Sequence, residues 1–300
     1  MNQVFALAFD HRNSFRRSFM RLTGDPTPEQ HAAMVSAKEV VVDALLDAVP
    51  SAPAGSVVLL MDHEYGGGFV GRAQAGGIQV AMPVEESGQR ELRYLCDGRP
   101  ERIVESYQPD YVKVLIRYNP AGDTEMNARQ RARLRDLAGW LVGRPQRLML
   151  ELLVPPEEAQ LAELGGDRGR FDREMRAAQT ATAVTEIAGD GVLPWLWKIE
   201  GPESRDDAAL VAKAVHAADP ASSCLVLGRG ADFAAVRRWL ANAAVTDGFS
   251  GFAVGRTIWW DALRSVIDSG DRDVAVQAIT ARYLALVREY ISLAPDITAS

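Results

Sequence analysis

The chain has 300 residues, 47% of them hydrophobic, which is enough to bury one large core in an α/β domain. Its 33 basic and 40 acidic residues give a net charge of -7, which argues against a general attraction to nucleic acid or to acidic membranes. The two cysteines fit no metal-binding spacing, and neither a signal peptide nor an apolar stretch of about 18 residues occurs, so we expect a cytoplasmic protein with reduced thiols.

Eight apolar runs of strand length alternate with longer segments of helical spacing. This alternation is typical of a (β/α)8 TIM barrel, which we predict as a single domain over residues 1–300. The predicted strands are Val4–Asp10, Ser56–Asp62, Gly77–Met82, Tyr111–Tyr118, Arg147–Leu153, Pro194–Glu200, Ser222–Gly228 and Gly251–Arg256. The predicted helices are Pro28–Ala48 (after a capping box at Thr27), Asn127–Val142, Arg170–Ala188, Arg205–Ala218, Ala231–Ala244 and Asp273–Ile291. The glycine-rich stretch 66–77 predicts a loop.

Alternation along the strands predicts which side chains face the barrel axis. In the sixth strand the large Trp195, Trp197 and Ile199 share one face and pack under helices, which turns the opposite face inward. Charged side chains then gather at the carboxyl ends of the strands, where barrel enzymes place their chemistry. The residues predicted to face inward are Ala8 and Asp10; Leu60 and Asp62; Lys113, Leu115 and Arg117; Met149 and Glu151; and Leu196, Lys198 and Glu200.

Lysine is rare in this chain, and its placement is informative. Only four of the 33 basic residues are lysines, and two of them, Lys113 and Lys198, stand inside predicted strands. Lysine can lose its proton and act as a nucleophilic amine, whereas arginine stays charged. A lysine that is desolvated beside a second cation, such as Lys113 or Arg117, has a lowered pKa, and its amine can attack a ketone. The pattern therefore favours Schiff-base chemistry at Lys198, with Lys113 as an electrostatic helper.

Carboxylates near these lysines complete the predicted chemistry. The iminium draws electrons from the adjacent C–C bond, and Glu151 or Asp10 takes the hydroxyl proton as an aldehyde leaves. The residues alone leave open which of the two carboxylates is the base. They also leave open a purely structural role for Lys198, in a buried ion pair with Glu200 or Glu151.

The last two strands predict a phosphate site. Each of these two strands ends in a Gly-Arg pair. Barrels often bind phosphate at these strand ends, through backbone N–H groups and the N-terminus of a helix. The alternative is a turn glycine beside a solvated arginine. The candidates for binding an anionic substrate are Gly228, Arg229, Gly255 and Arg256, together with Arg12 and Arg117 at the ends of strands one and four.

Six segments together resemble the class I aldolases of the tagatose-bisphosphate group. The resemblance spans nearly the whole chain in order, and the Asp-His-Arg and Gly-Arg-Thr-Ile-Trp sequences are its most specific parts. Within the group, the sequence is most similar to the domain that cleaves 2-deoxy-5-keto-gluconate 6-phosphate in inositol catabolism. The segments are Leu7–Arg12, Leu60–Gly66, Val112–Tyr118, Leu150–Leu152, Trp197–Glu200 and Gly251–Trp259.

The resemblance implies specific roles and a substrate class. Lys198 would be the Schiff-base lysine, Arg256 a phosphate ligand, and Asp10, Lys113 and Glu151 the acid/base shell around them. The implied reaction converts a phosphorylated keto sugar or keto acid to dihydroxyacetone phosphate and an aldehyde, without a metal or an organic cofactor. Tagatose bisphosphate and sulfofructose phosphate are alternative substrates within the same group.

Other readings stay open at this point. His11 and His63, with Asp10, Asp62 and Glu64, would suit a divalent metal in a metal-dependent aldolase or sugar-phosphate epimerase. A barrel that only senses a sugar phosphate is a third possibility. The pairs Trp259–Trp260 and Tyr283–Tyr290 are best explained by core packing, although they would also suit the interface of a homo-oligomer, so the oligomeric state is undetermined.

Overall fold

A closed barrel of eight parallel strands confirms the predicted (β/α)8 fold. The computed structural model describes residues 3–294, without the side chains of residues 267–269, so the two ends of the predicted domain lie outside the described residues. The strands neighbour one another in chain order, and β8 closes on β1. Their bounds are β1 (Val4–Phe9), β2 (Val57–Met61), β3 (Gln79–Pro83), β4 (Tyr111–Arg117), β5 (Arg147–Leu153), β6 (Leu196–Glu200), β7 (Ser223–Leu227) and β8 (Phe249–Val254).

Helices surround this barrel on its outer side. The long ones carry apolar faces that pack against the strands, and one continuous core of buried side chains fills the layer between them. Their bounds are α1 (Pro28–Ala48), α2 (His63–Gly66), α3 (Val70–Ala75), α4 (Leu95–Gly98), α5 (Glu101–Tyr107), α6 (Thr124–Leu141), α7 (Glu158–Glu163), α8 (Arg168–Glu174), α9 (Arg176–Gly189), α10 (Arg205–Ala218), α11 (Phe233–Ala244), α12 (Arg256–Ser269) and α13 (Arg272–Leu293).

A smaller apolar cluster fills the lower interior of the barrel. It consists of inward-facing side chains, among them Ala8, Leu60, Met149 and Leu196, as the alternation along the strands predicts. The charged inward residues lie above it, toward the carboxyl ends of the strands. The barrel is therefore a packed support for a polar mouth rather than a pore.

The predicted loop 66–77 is wrong, because this stretch is largely helical. It continues α2 through a 3₁₀ turn at Gly67–Phe69 into α3. A β-carbon on Gly66 would lie 2.1 Å from the Met61 side chain, and one on Gly67 would lie 2.6 Å from the Tyr107 ring. Gly66 and Gly67 are required because neighbouring side chains leave no room for a β-carbon, and Gly77 ends the stretch with a positive φ (83°).

Two further predictions, one of a helix and one of a strand, need correction. The segment predicted as one helix over 170–188 is two helices, because Met175 between them has a non-helical backbone (φ -126°). The strand predicted over 251–256 ends earlier, and α12 begins at Arg256, directly after Gly255. A β-carbon on Gly255 would lie 2.1 Å from the Ala8 carbonyl oxygen, so this glycine lets the chain turn tightly against β1.

Of the aromatic pairs near the C-terminus, Trp259, Tyr283 and Tyr290 are buried in the core, as predicted, and Trp260 is half-buried against it. Trp259 is fully buried and donates from Nε1 to the Ala8 carbonyl oxygen (3.0 Å). Tyr283 is also fully buried and donates to the Phe5 carbonyl oxygen (2.8 Å). Both side chains thus fasten helices to β1. No helix within residues 3–294 is long and apolar enough to span a membrane.

Candidate active site

A cavity of about 540 Å³ opens at the carboxyl ends of the strands. Its walls bring together the side chains predicted from β1, β4, β5 and β6 and the two Gly-Arg turns after β7 and β8. The predicted site residues that line it are Asp10, Arg12, Lys113, Arg117, Glu151, Lys198, Gly228, Arg229, Gly255 and Arg256, and Glu200 lines it as well.

Lys113 lies at the centre of a cluster of carboxylates. Its Nζ is 2.8 Å from Asp10 Oδ2, 2.7 Å from Glu85 Oε1 and 3.0 Å from Glu151 Oε2. Burial works against the ammonium, but these three carboxylates outweigh it and raise the pKa of Lys113 well above its ordinary value. Lys113 therefore stays a cation.

Lys198 has a simpler environment. Its side chain is 3% exposed, and its Nζ donates to Glu151 Oε2 at 2.9 Å. The same carboxylate oxygen thus contacts both lysines of the cavity. Neighbouring strands explain the arrangement, because Glu151 on β5 pairs in register with Leu115 on β4 and with Lys198 on β6.

The lysines keep two of the carboxylates ionised. Burial raises the pKa of Asp10 and of Glu151, but the charges of Lys113 and Lys198 lower both to below their ordinary values. Glu85 differs, because burial raises its pKa above the ordinary value despite the contact with Lys113. The site thus holds two carboxylates kept in the ionised form and a third, Glu85, whose burial makes its ionised form less favourable.

Asp62 does not face the cavity, contrary to the prediction. Its Oδ1 accepts from the Tyr65 backbone N–H at the start of α2 (2.9 Å), and its Oδ2 lies 2.7 Å from Lys38 Nζ. Because β2 ends at Met61, the chain has already turned into α2 at this point, and strand alternation no longer applies.

The metal site considered from the sequence is not assembled. His11 packs edge-on against Trp259, and His63 faces the Tyr107 ring, while Asp62 is taken up by Lys38. Within the described residues, no three His, Cys, Asp or Glu side chains converge as metal ligands would. The geometry therefore does not favour a metal-dependent reaction at these histidines.

The two arginines of the Gly-Arg turns differ in their partners. Arg229 is bound through Nε to Glu200 Oε1 (3.1 Å) and through Nη1 to Asp172 Oδ2 (3.0 Å). Arg256 donates to the Arg229 carbonyl oxygen (2.9 Å) and has no carboxylate partner within the described part of the chain. Arg256 is thus the more available of the two for an anion.

Arg12 and Arg117 hold the segment after β3. Arg12 donates to the Glu85 carbonyl oxygen (2.6 Å), and Arg117 donates to the Gln89 carbonyl oxygen (2.6 Å). Both side chains line the cavity while fixing its wall. Their predicted part in substrate binding stays a prediction.

Sequence reasoning missed Glu85 in the cavity and Lys38, which lies outside it. Glu85 follows β3 in an irregular segment, where no periodicity predicts its direction. Lys38 lies in α1 and does carry a signal, because it falls on the buried stripe formed by Met34, Val41 and Leu45 at helical spacing. A lysine on such a stripe needs a buried partner.

His11 predicts a pH-dependent stability. Burial lowers its pKa from 6.5 to about 4, so the folded protein keeps the ring neutral while the unfolded chain takes up a proton. Stability should therefore fall as the pH drops from 6.5 toward 4, by about 2 kcal/mol at pH 5. Chemical denaturation of the wild type and of His11→Gln at pH 7 and pH 5 measures this effect as the difference between the two proteins. An equal loss in both would contradict it.

Comparison with known proteins places the fold. The model of a family described as "Uncharacterized protein conserved in bacteria (DUF2090)" matches residues 1–292. None of the curated proteins matches the sequence. The fold is similar to a fructose-bisphosphate aldolase from Plasmodium falciparum, with a TM-score of 0.69 at 14% identity over 98% of this chain and 92% of that chain. It is also similar to an archaeal fructose-1,6-bisphosphate aldolase whose catalytic lysine carries a carbinolamine intermediate, with a TM-score of 0.54 at 16% identity over 95% and 94% of the two chains.

Proposed function

Since the chain belongs to the bacterial family DUF2090, whose description gives no activity, we propose its function from the cavity itself: a class I aldolase that uses Lys198. The observation that carries this proposal is the contrast between the two cavity lysines. Lys113 is fixed as an ammonium by three carboxylates, whereas Lys198 has Glu151 as its one ion-pair partner within the described residues. In the proposed mechanism Lys198 passes one proton to Glu151 and becomes the nucleophile, while Lys113 keeps its charge for the developing anion.

The proposed reaction begins at this pair. Lys198 transfers a proton to Glu151 across 2.9 Å, and its amine attacks the substrate ketone to form a carbinolamine. Glu151 then returns that proton to the leaving hydroxyl, water departs and an iminium remains. Because the ion pair is preformed, no large movement is needed before the attack.

Cleavage follows from the iminium and a second carboxylate. We assign that role to Asp10, which contacts Lys113 as Glu151 does and is held ionised. Asp10 takes the proton of the substrate hydroxyl, an aldehyde forms, and the electrons of the broken C–C bond move into an enamine on Lys198. Protonation of the enamine and hydrolysis of the imine release the second product and restore the lysine.

The phosphate of the substrate is proposed to bind at the start of α12. Arg256 is the first residue of this helix and has no carboxylate partner in the described structure. The first N–H groups of the helix and its dipole add to the attraction for an anion. This site and Lys198 line the same cavity, which supports a phosphorylated ketone as the substrate.

The finer substrate is also a proposal. The sequence resemblance favours a keto sugar or keto acid related to 2-deoxy-5-keto-gluconate 6-phosphate, with dihydroxyacetone phosphate as the product bound to Lys198. Tagatose bisphosphate and a sulfofructose phosphate fit the same lysine and the same anion site. A panel of these ketoses, compared by kcat/KM, separates them.

Arg256 and Arg229 give a matched test of the phosphate site. Arg256→Gln should raise KM by roughly 10- to 100-fold, because one charge-assisted hydrogen bond to the phosphate is lost. Arg229→Gln should change KM by less than roughly 10-fold, because its guanidinium serves Glu200 and Asp172. Steady-state kinetics of both variants measures the two effects. A larger KM change in Arg229→Gln would move the anion site to the β7 turn.

The central test is trapping of the imine with borohydride. The protein is incubated with dihydroxyacetone phosphate, reduced, digested and mapped by mass spectrometry. With only four lysines in the chain, the map is simple, and the exposed Lys213 on α10 serves as the internal control for nonspecific modification. We expect an adduct on Lys198 and none on Lys213.

Other outcomes of this experiment contradict the proposal. An adduct on Lys113 would exchange the roles of the two cavity lysines. No adduct, together with sugar-phosphate cleavage that EDTA abolishes, would indicate a metal-dependent reaction. No adduct and no cleavage of any ketose phosphate would favour a barrel that only binds such a ligand.

A further inference from the structure

Lys38 is a fully buried lysine that lies outside the cavity. It comes from α1, on the outer side of the barrel, and both Lys38 and its partner Asp62 have side chains with 0% exposure. The lysine nitrogen lies 2.7 Å from Asp62 Oδ2 and 3.8 Å from the centroid of the Phe9 ring. Burial lowers the pKa of Lys38, and Asp62 opposes this shift.

The hydrogen bonds of Lys38 point to the chain around Asp10. Its ammonium donates to the carbonyl oxygen of Phe9, and it also donates to the carbonyl oxygen of His11 at 3.2 Å. Lys38 therefore holds the main chain immediately before and immediately after Asp10. No other side chain in the described residues bonds both of these carbonyl groups.

The sheet itself does not fix Asp10. The pairing of β1 with β8 ends at Leu7, and the pairing of β1 with β2 ends at Phe9. Asp10 thus lies one residue beyond the last strand pair, where the backbone has no ladder to define its direction. Lys38 replaces the missing strand contacts at this point.

A stabilising role alone is a poor explanation for this ion pair. A buried pair costs several kcal/mol per ion in desolvation, and apolar side chains of similar volume often stabilise a core equally well. An apolar side chain, however, cannot donate to two carbonyl groups. The contribution particular to Lys38 is that it fixes the main chain on both sides of Asp10.

We propose that Lys38 is a positioning residue for C–C cleavage, which holds the Asp10 carboxylate against Lys113 by binding the carbonyl groups on both sides of Asp10. The inference rests on the proposed aldolase function and on the role given there to Asp10. Imine formation depends on Lys198 and Glu151, whereas cleavage depends on Asp10. Loss of Lys38 should therefore slow cleavage and leave imine formation intact.

The test uses the double variant Lys38→Met/Asp62→Leu, which removes both buried charges together. We expect it to fold, with a melting temperature several degrees below that of the wild type, because the cap of α2 by Asp62 and the two hydrogen bonds donated by Lys38 are lost. Borohydride trapping of dihydroxyacetone phosphate on Lys198 should be retained, and kcat for cleavage should fall by roughly 10- to 100-fold, because small misplacements of a reacting group are costly. KM should change by less than about threefold, and Asp10→Asn should show the same split between trapping and cleavage. Lys213→Met, at an exposed lysine, is the control and should behave as the wild type.

Three results would overturn the inference. Cleavage within about threefold of the wild type in a folded double variant would show that Lys38 does not position Asp10. Loss of trapping in parallel with cleavage would indicate a general effect on the site. Absence of trapping in the wild type would instead remove the proposed function, and the inference with it.

A second variant covers the case in which the double variant does not fold. Asp62→Asn keeps the shape of the pair but removes the counterion of Lys38. The hydrogen bonds from Lys38 to the two carbonyl groups should therefore weaken. We expect a loss of kcat of at least about threefold with trapping retained, and an unchanged kcat would count against the role of Lys38.

Discussion

Lys198→Met abolishes turnover while the protein remains folded: this is the largest effect that we expect of any single substitution. Methionine is close to lysine in length and can replace the apolar part of its side chain, but it has no amine to attack a ketone. The reduction in kcat should be at least about 10⁴-fold, since the covalent route is lost entirely. Steady-state cleavage of a ketose phosphate, with the melting temperature measured in parallel, tests this expectation.

Two further variants sharpen the result for Lys198. Lys198→Arg should be equally inactive, because arginine retains the positive charge but cannot form the imine. Lys213→Met carries the same chemical change at an exposed lysine and should keep full activity. Activity in either Lys198 variant above about 1% of the wild type would show that the amine is not the nucleophile.

Glu151→Gln should give the second largest loss, a fall in kcat of roughly 10²- to 10⁴-fold, the range typical of a lost general acid/base. One carboxylate oxygen of Glu151 accepts from Lys198 and lies 3.0 Å from Lys113 Nζ, and within the described residues Glu151 is the one ion-pair partner of Lys198. Glutamine cannot take the proton of Lys198, and its amide group cannot carry the negative charge that both ammonium groups need. The rate of imine trapping and kcat should fall together.

Glu86→Gln is the matched control for this change. Glu86 also lines the cavity, but its carboxylate pairs with the exposed Arg93. We expect its kcat to stay within about threefold of the wild type. A loss below tenfold in Glu151→Gln would assign the proton transfer to another group, and Asp10 would be the first to test.

The pattern of apolar residues was sufficient to predict the barrel. All eight strands were found near their observed bounds, because each is buried on both sides and reads as a continuous apolar run. The loop prediction for 66–77 was wrong because Gly66 and Gly67 are placed by contacts with the side chains of Met61 and Tyr107, which composition does not reveal. The break at Met175 was not predicted, since no proline or glycine marks it.

Prediction of the site was limited by where the strands end. Alternation correctly brought Lys113, Glu151 and Lys198 to one cavity, because all three lie inside strands. It failed for Asp62, which lies one residue past β2, where the chain has already turned. Glu85 comes from a segment without periodicity, and only the folded chain shows that it reaches Lys113.

The scarcity of lysine has a practical consequence for chemical labelling. Of the four lysine side chains, Lys38, Lys113 and Lys198 are buried, and Lys213 on α10 is exposed. Among the lysine side chains, a dye or resin that reacts with amines would therefore couple at Lys213, on the outside of the barrel. Coupling there leaves the cavity open, so the labelled protein could still report ligand binding.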